Sequence, residues 1–251
     1  MRRDDLLQLD ATLPLPEVPT LLQHKQRSLA IALDTYVHRF PDVYEGARPD
    51  LQKLVSREAR TILDIGCAEG RLGAALKARQ ACVVIGIESN RKLSAVAAER
   101  LDQVLALDVE TVAPDRFTAE FDYIICGELL EHLRDPWSAV KKFAGWLRPG
   151  GQLIATIPNV GHWSIVSDLL HGRWELIPFG LLCWSHVRFF TRAGVEQLFR
   201  DSGLFIDTLR NLIDPLPEVG ETFVQSAASL DTEVDEESLR THEFLIVGRK
   251  I

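Results

Sequence analysis

Ile62-Leu63-Asp64-Ile65-Gly66-Cys67-Ala68-Glu69-Gly70-Arg71-Leu72-Gly73 reads as a buried strand that stops beside an acidic residue, turns through small residues and opens a helix. Outward from it the chain alternates in period. Strands are predicted at 61–65, 82–87, 103–107, 121–126 and 151–157, and helices at 71–79, 91–100 and 136–147. Such alternation means βαβ units, a parallel sheet and helices on both of its faces. Asp135 before Pro136 is a helix start, and Pro149-Gly150-Gly151 a stop and a turn into the next strand. Two final strands, near 203–210 and 243–249, complete the expected fold, an α/β, doubly wound, mostly parallel seven-stranded sheet. Residues 46–251 form this domain. Ahead of it, residues 1–45 read as a Pro-rich arm and, from Thr20 to Phe40, a helical extension that serves as a lid or a homodimer contact.

Composition narrows the function. The chain has 251 residues, 46% of them hydrophobic and 25% charged, the balance of a globular protein. A net charge of −8 argues against a nucleic-acid partner, because phosphate binding needs a basic face. Cys67, Cys82, Cys126 and Cys183 form no CxxC pair, so buried reduced thiols are expected in place of a zinc site or a disulfide framework. With no apolar leader and no run of about 18 apolar residues, neither export nor a membrane span is expected, and the location read from the sequence is cytoplasmic.

Chemistry enters at the strand ends. Small residues at Gly66, Cys67, Ala68 and Gly70 let the backbone approach a ligand, and the helix after them offers amide N–H groups, which implies a nucleotide-like cofactor. Glu88, followed by Ser89, ends the second strand where a carboxylate can take both hydroxyls of a ribose. Asp108 ends the third, placed to accept from an adenine amino group, with Val109 against the ring. Three acidic strand ends in succession, Asp64, Glu88 and Asp108, make one cofactor set.

In these motifs the chain resembles the class I S-adenosylmethionine-dependent methyltransferases, over roughly residues 45–210. The resemblance implies a cofactor, S-adenosyl-L-methionine, with S-adenosyl-L-homocysteine as product. It places Asp64, Gly66, Cys67 and Gly70 around the methionine part, Glu88 and Ser89 at the ribose, and Asp108 and Val109 at the adenine. Phe121-Asp122-Tyr123-Ile124-Ile125-Cys126-Gly127-Glu128 matches the fourth-strand motif, which adds Cys126 and Glu128 to the cofactor side. Leu130-Glu131-His132-Leu133-Arg134-Asp135-Pro136 matches the segment after it, and Arg148-Pro149-Gly150-Gly151 the turn before the fifth strand. Ala68 replaces a common glycine, a change expected to be tolerated if its φ is negative. Two other readings stay open. Ala68, Gly70 and Gly73 approximate a nicotinamide-dinucleotide turn, although Asp64 and Gly66 sit in the wrong register for it. A domain that binds the cofactor without turnover, as a sensor or partner subunit, also fits the acidic strand ends.

The acceptor side is expected in the insertion 158–190, PNVGHWSIVSDLLHGRWELIPFGLLCWSHVRFF, which holds three of the five tryptophans and three of the seven histidines. It serves as an aromatic pocket wall, a packed subdomain or a dimer contact. Pro158-Asn159-Val160, His162-Trp163-Ser164, Gly172-Arg173-Trp174, Gly180-Leu181-Leu182 and His186-Val187-Arg188-Phe189-Phe190-Thr191 resemble a bacterial branch of the superfamily associated with glycosyltransferases and surface-glycan biosynthesis. That branch usually has an aspartate and a basic residue where this chain has Cys183 and Trp184. The expectation is O-methylation of a sugar, a glycan or another small hydroxyl compound. His186 is the expected general base and His132 a second catalytic candidate. His162, Trp163, Arg173, Trp184 and Arg188 are the expected acceptor contacts. Cation-dependent members place aspartates after the fourth strand, and none occurs at 124–130, so no metal is expected.

Overall fold

A computed structural model describes residues 46–177 and 180–251. The expected arm and helix over residues 1–45 therefore lie outside the described residues. In chain order the described elements are α1 (Pro49–Gln52), β1 (Thr61–Ile65), α2 (Arg71–Arg79), β2 (Val83–Ile87), α3 (Arg91–Ala98), β3 (Gln103–Leu105), β4 (Phe121–Gly127), α4 (Pro136–Trp146), β5 (Leu147–Pro158), α5 (Trp163–Leu170), α6 (Arg192–Asp201), β6 (Leu204–Ile213), α7 (Glu218–Leu230), α8 (Glu236–Arg240) and β7 (Thr241–Lys250). The strands form a seven-stranded sheet in the order β3-β2-β1-β4-β5-β7-β6, parallel except for β7, which runs antiparallel to both its neighbours.

Strand periodicity builds the two cores. Side chains alternate across the sheet, so Leu63, Ile124, Leu153 and Ile246 face one side with Phe143 and Trp146 of α4 and Leu198 and Phe199 of α6. Ile62, Ile125, Ile154 and Leu245 face the other, against Leu51 of α1, Leu72 and Leu76 of α2 and Ala97 of α3. Burial on both faces explains why these strands read as near-continuous apolar runs. The helix starts follow the sequence: Asp135 accepts from Ser138 N at α4, Asn90 from Lys92 N and Leu93 N at α3, and Thr191 from Gly194 N at α6.

The insertion opens with α5, which has no counterpart in the sequence reading. Together with α7 and α8 it surrounds a third small core made of Trp163, Val224 and Leu239, at the carboxyl end of β5. Gly220 of α7 lies so close to Trp163 that a Cβ there would stand 2.8 Å from the indole. All four cysteines are unbridged, but only Cys67 and Cys126 are buried; Cys82 and Cys183 are half-exposed, which corrects the expectation of four buried thiols. Among the described residues no helix is long and apolar enough to cross a membrane.

Candidate active site

The carboxyl ends of β1, β2 and β3 carry the three acids foreseen from the sequence. Gly66 and Gly70 adopt φ of 75° and 74° and turn the chain sharply out of β1 into α2. Gly66 N donates to Ile87 O at 2.7 Å and Gly70 N to Cys67 O at 2.7 Å, which closes the turn against β2. Ala68 has φ of +47°, so it occupies the left-handed region and is not the relaxed replacement the sequence suggested. Strain of this kind costs on the order of 1 kcal/mol and persists only where the surroundings impose it. Here Glu88 imposes it. Its Oε2 accepts from Ala68 N at 3.1 Å, and its Oε1 from Asn90 N at 2.7 Å. An ionised carboxylate has about four acceptor positions, so bracing the turn leaves capacity for a ligand. Ser89 beside it is half-buried.

Asp64 is 4% exposed, and its Oδ2 has no hydrogen-bond partner among the described residues. Burial, and then the charge of Glu88, push this carboxyl up to about 7. The start of α2 has no side-chain cap, so its first amides are available beside the same turn. An orphaned acid next to an uncapped helix start suits a ligand carrying both a cation and an anion. Asp108 is exposed; its Oδ1 accepts from Glu110 N at 2.9 Å, while Val109 is buried.

Arg48 escaped the sequence reading. It too has a positive φ, 43°, and its guanidinium reaches Asp50 at 2.9 Å, Thr156 Oγ1 at 3.4 Å and Glu128 at 4.0 Å. Burial alone would depress it, yet the Asp50 hydrogen bond and the charges of Glu243, Glu128 and Asp50 hold it above the usual arginine range. Glu128, φ 50°, is turned toward this group, with its own N–H donating to Thr156 O at 3.2 Å. An arginine ahead of the first strand offers no spacing signal, which is why it could not be singled out.

Just after β4, Glu131 and His132 meet His186. The imidazole rings stand 4.8 Å apart, edge to face, and their Nε2 atoms lie 3.9 and 4.0 Å from Glu131 Oε1. Burial lowers the His186 pKa, offset in part by its hydrogen bond to Leu181 O. Cys126 is buried on β4, and its thiol is pushed far up by burial and then by the charges of Asp64 and Glu131. No metal ligand set was expected, yet one ligand atom from each of Glu131, His132 and His186 falls within 4.8 Å of the others.

The expected acceptor contacts do not converge on one wall. Trp163 is 2% exposed inside the third core, and His162 beside it bonds Ser164 Oγ at 2.9 Å and is held neutral by burial, with a pKa of about 3. Arg173 is engaged by Asp168 at 2.7 Å. Trp184 faces outward and donates to Leu176 O at 2.7 Å. Arg188 bonds the Arg134 carbonyl and lies over Trp137. Of the insertion residues picked out, the structure thus brings His186 beside Glu131 and His132 and packs Trp163 into the third core.

The methyltransferase domain family matches residues 36–209. The chain belongs to that family. S-adenosyl-L-methionine is the cofactor of this methyltransferase, which sets aside the nicotinamide and sensor readings. The chain is 31% identical over 173 residues to a ubiquinone biosynthesis O-methyltransferase of Alkalilimnicola ehrlichii, covering 64% of this chain and 67% of the relative. It is also 31% identical over 188 residues to a protein of the same name from Coxiella burnetii, covering 69% and 79%. Among solved structures, an S-adenosylmethionine-dependent methyltransferase from Mesorhizobium loti superposes with a TM-score of 0.57 at 18% identity, over 82% of this chain and 99% of that one. At that identity the likeness concerns the fold.

Proposed function

We propose that this methyltransferase methylates the oxygen of a small hydroxyl acceptor. The observation that carries the reading is the Glu131, His132 and His186 cluster at the carboxyl end of β4, where Glu131, like Asp64, acts electrostatically on Cys126. When bound, S-adenosyl-L-methionine supplies an electrophilic methyl on a sulfonium. The residues of this chain then have three tasks. Asp64 and the amides opening α2 hold the methionyl end, Glu88 with Ser89 takes the ribose, and Asp108 with Val109 takes the adenine. Gly66, Cys67, Gly70, Cys126 and Glu128 shape the floor between them. His186 and His132 flank the place where the acceptor hydroxyl loses its proton, the step an oxygen nucleophile needs and a thiolate or free amine does not. The relatives' name supports oxygen as the acceptor atom; the motifs of the insertion support a sugar or glycan as its carrier. Exposed aromatic faces at Trp174, Trp184 and Phe189 suit such a ring.

Transfer of labelled methyl from S-adenosyl-L-methionine to a panel of monosaccharides, nucleotide sugars, dihydroxybenzenes and primary amines tests this. Products methylated at oxygen are expected, with kcat lowered about 100-fold or more in His186→Ala and cofactor affinity unchanged. Turnover of amines alone would overturn the reading.

A further inference from the structure

Asp108 stands on less sheet than its two companions. Asp64 lies in β1 and Glu88 follows β2, five-residue strands with a neighbour on each side, whereas Asp108 follows β3, three residues long at the sheet edge. Its direction is set from another element. In the 3-10 turn Val109–Thr111, the half-buried Glu110 reaches across to the segment after β4: Oε1 accepts from Asp135 N at 2.9 Å and Oε2 from Arg134 N at 3.2 Å. One carboxylate on two backbone amides is also how Glu88 braces the first turn. Burial by itself would raise the Glu110 pKa, but the amides of Asp135 and Arg134, and then the Arg134 guanidinium, hold it below the usual carboxylate range. The brace is therefore ionised at neutral pH.

Of the two parts that Glu110 joins, the segment after β4 has many other anchors. Leu130 and Leu133 are buried, His132 N donates to Leu129 O and Leu133 N to Leu130 O, Asp135 caps α4, and Val187 N and Arg188 N donate to Glu131 O. It is the firm side, and the turn at Asp108 is the side that is held. Lys142 Nζ of α4 donates to Val109 O at 2.7 Å and Val112 O at 3.0 Å, which fixes where that turn lies. Glu110 fixes which way Asp108 looks, because the residue clamped at its carboxylate donates its own N–H to Asp108 Oδ1 at 2.9 Å. Glu110 Oε2 also takes Arg134 Nε at 3.4 Å, and the Arg134 guanidinium stays 3.9 Å from Asp108 Oδ2, beyond hydrogen-bond reach. We propose that Glu110 is a positioning residue for the cofactor's adenine, holding the Asp108 carboxylate in the direction that accepts from the 6-amino group. The inference deepens the reading of Asp108 as the adenine acid and rests on it. Adenine donates at this position and a 6-oxo purine accepts. A fixed carboxylate therefore separates the two bases, as a site built around a substrate N–H rejects the analogue without it, whereas a carboxylate that swings does not.

The test is calorimetric titration of the full chain with S-adenosyl-L-homocysteine and with S-inosyl-L-homocysteine, its 6-oxo counterpart. The wild type is expected to prefer the first by about tenfold or more. In Glu110→Ala that preference should shrink to within about twofold, and in Glu110→Gln, which keeps one acceptor oxygen, to a value between. Both variants are checked for fold by thermal melting, and their affinity for the 6-oxo ligand should not fall. Asp108→Ala should lose the preference as well. Equal weakening of both ligands in the Glu110 variants would make Glu110 a support of the fold alone and overturn the proposal. A preference kept in full by both Glu110 variants and lost in Asp108→Ala overturns it too, and leaves the reading of Asp108 standing. A wild type without preference, or a preference that survives Asp108→Ala, overturns the adenine reading and the proposal with it.

Discussion

Glu88 braces the first turn with two hydrogen bonds to backbone amides, one of them twenty residues back in the chain, whereas the insertion after β5 is held at its ends by a bridge between Asn159 and Phe190 and, just before its return, by Glu131 O. The first region is an extension of the sheet: each acid stands where a strand stops. The second is a loop and a helical cap resting on the sheet. Rigid strand ends suit a cofactor of fixed shape, and a separately packed cap can have a stability of its own.

That separation can be broken most forcefully at Glu88. Glu88→Ala removes two charge-assisted hydrogen bonds worth about 1.5–3 kcal/mol each, so stability in urea should fall by about 3 kcal/mol or more. Calorimetric affinity for S-adenosyl-L-methionine should drop over 100-fold. A protein that binds as before would show that the turn holds itself. The cap is probed at Gly220: Gly220→Ala crowds Trp163 at a cost of about 1–3 kcal/mol, reduced by about 1 kcal/mol of helix preference. Proteolysis of the cap should rise while cofactor affinity stays constant. Equal loss of both would mean that the regions unfold as one.

Asp64 sharpens the contrast through pH. Its pKa in the folded chain is raised from 3.8 to about 7, so its contribution to the stability of the cofactor-free protein is greatest below about pH 4 and is lost as pH rises through about 7. A bound sulfonium and ammonium favour the ionised form. Affinity for the cofactor should therefore increase about tenfold from pH 6 to 8, and Asp64→Asn should flatten that rise. The smallest effect belongs to Ala68→Gly. Relief of its φ of +47° should outweigh the added freedom of the unfolded chain by about 0.5 kcal/mol, seen as a melting temperature higher by about 2 °C.

Legibility follows the same divide. The strand ends could be read because period, turn and acid lie within one stretch: Asp64, Glu88 and Asp108 each follow an apolar run. The start of α4 at Asp135 and Pro136 was equally plain. The cap was not, because α7 and α8 pack on α5 from more than fifty residues away, and Trp163 looks the same in sequence whether it lines a pocket or fills a core. His132 and His186 were each visible as histidines, but their meeting at Glu131 depends on where the insertion returns. Arg48 and the strain at Ala68 and Glu128 are properties of the backbone path, with no residue type to announce them.

The bridge between Asn159 and Phe190, with Val160 N donating to Phe190 O at 2.9 Å, brings the two ends of the insertion side by side. A segment that leaves and re-enters a fold through neighbouring points can be exchanged as a cassette, since its replacement need only span the same short gap. On the proposed reading of the insertion as the acceptor side, the sheet beneath would keep its cofactor chemistry while the graft above it changed what is methylated.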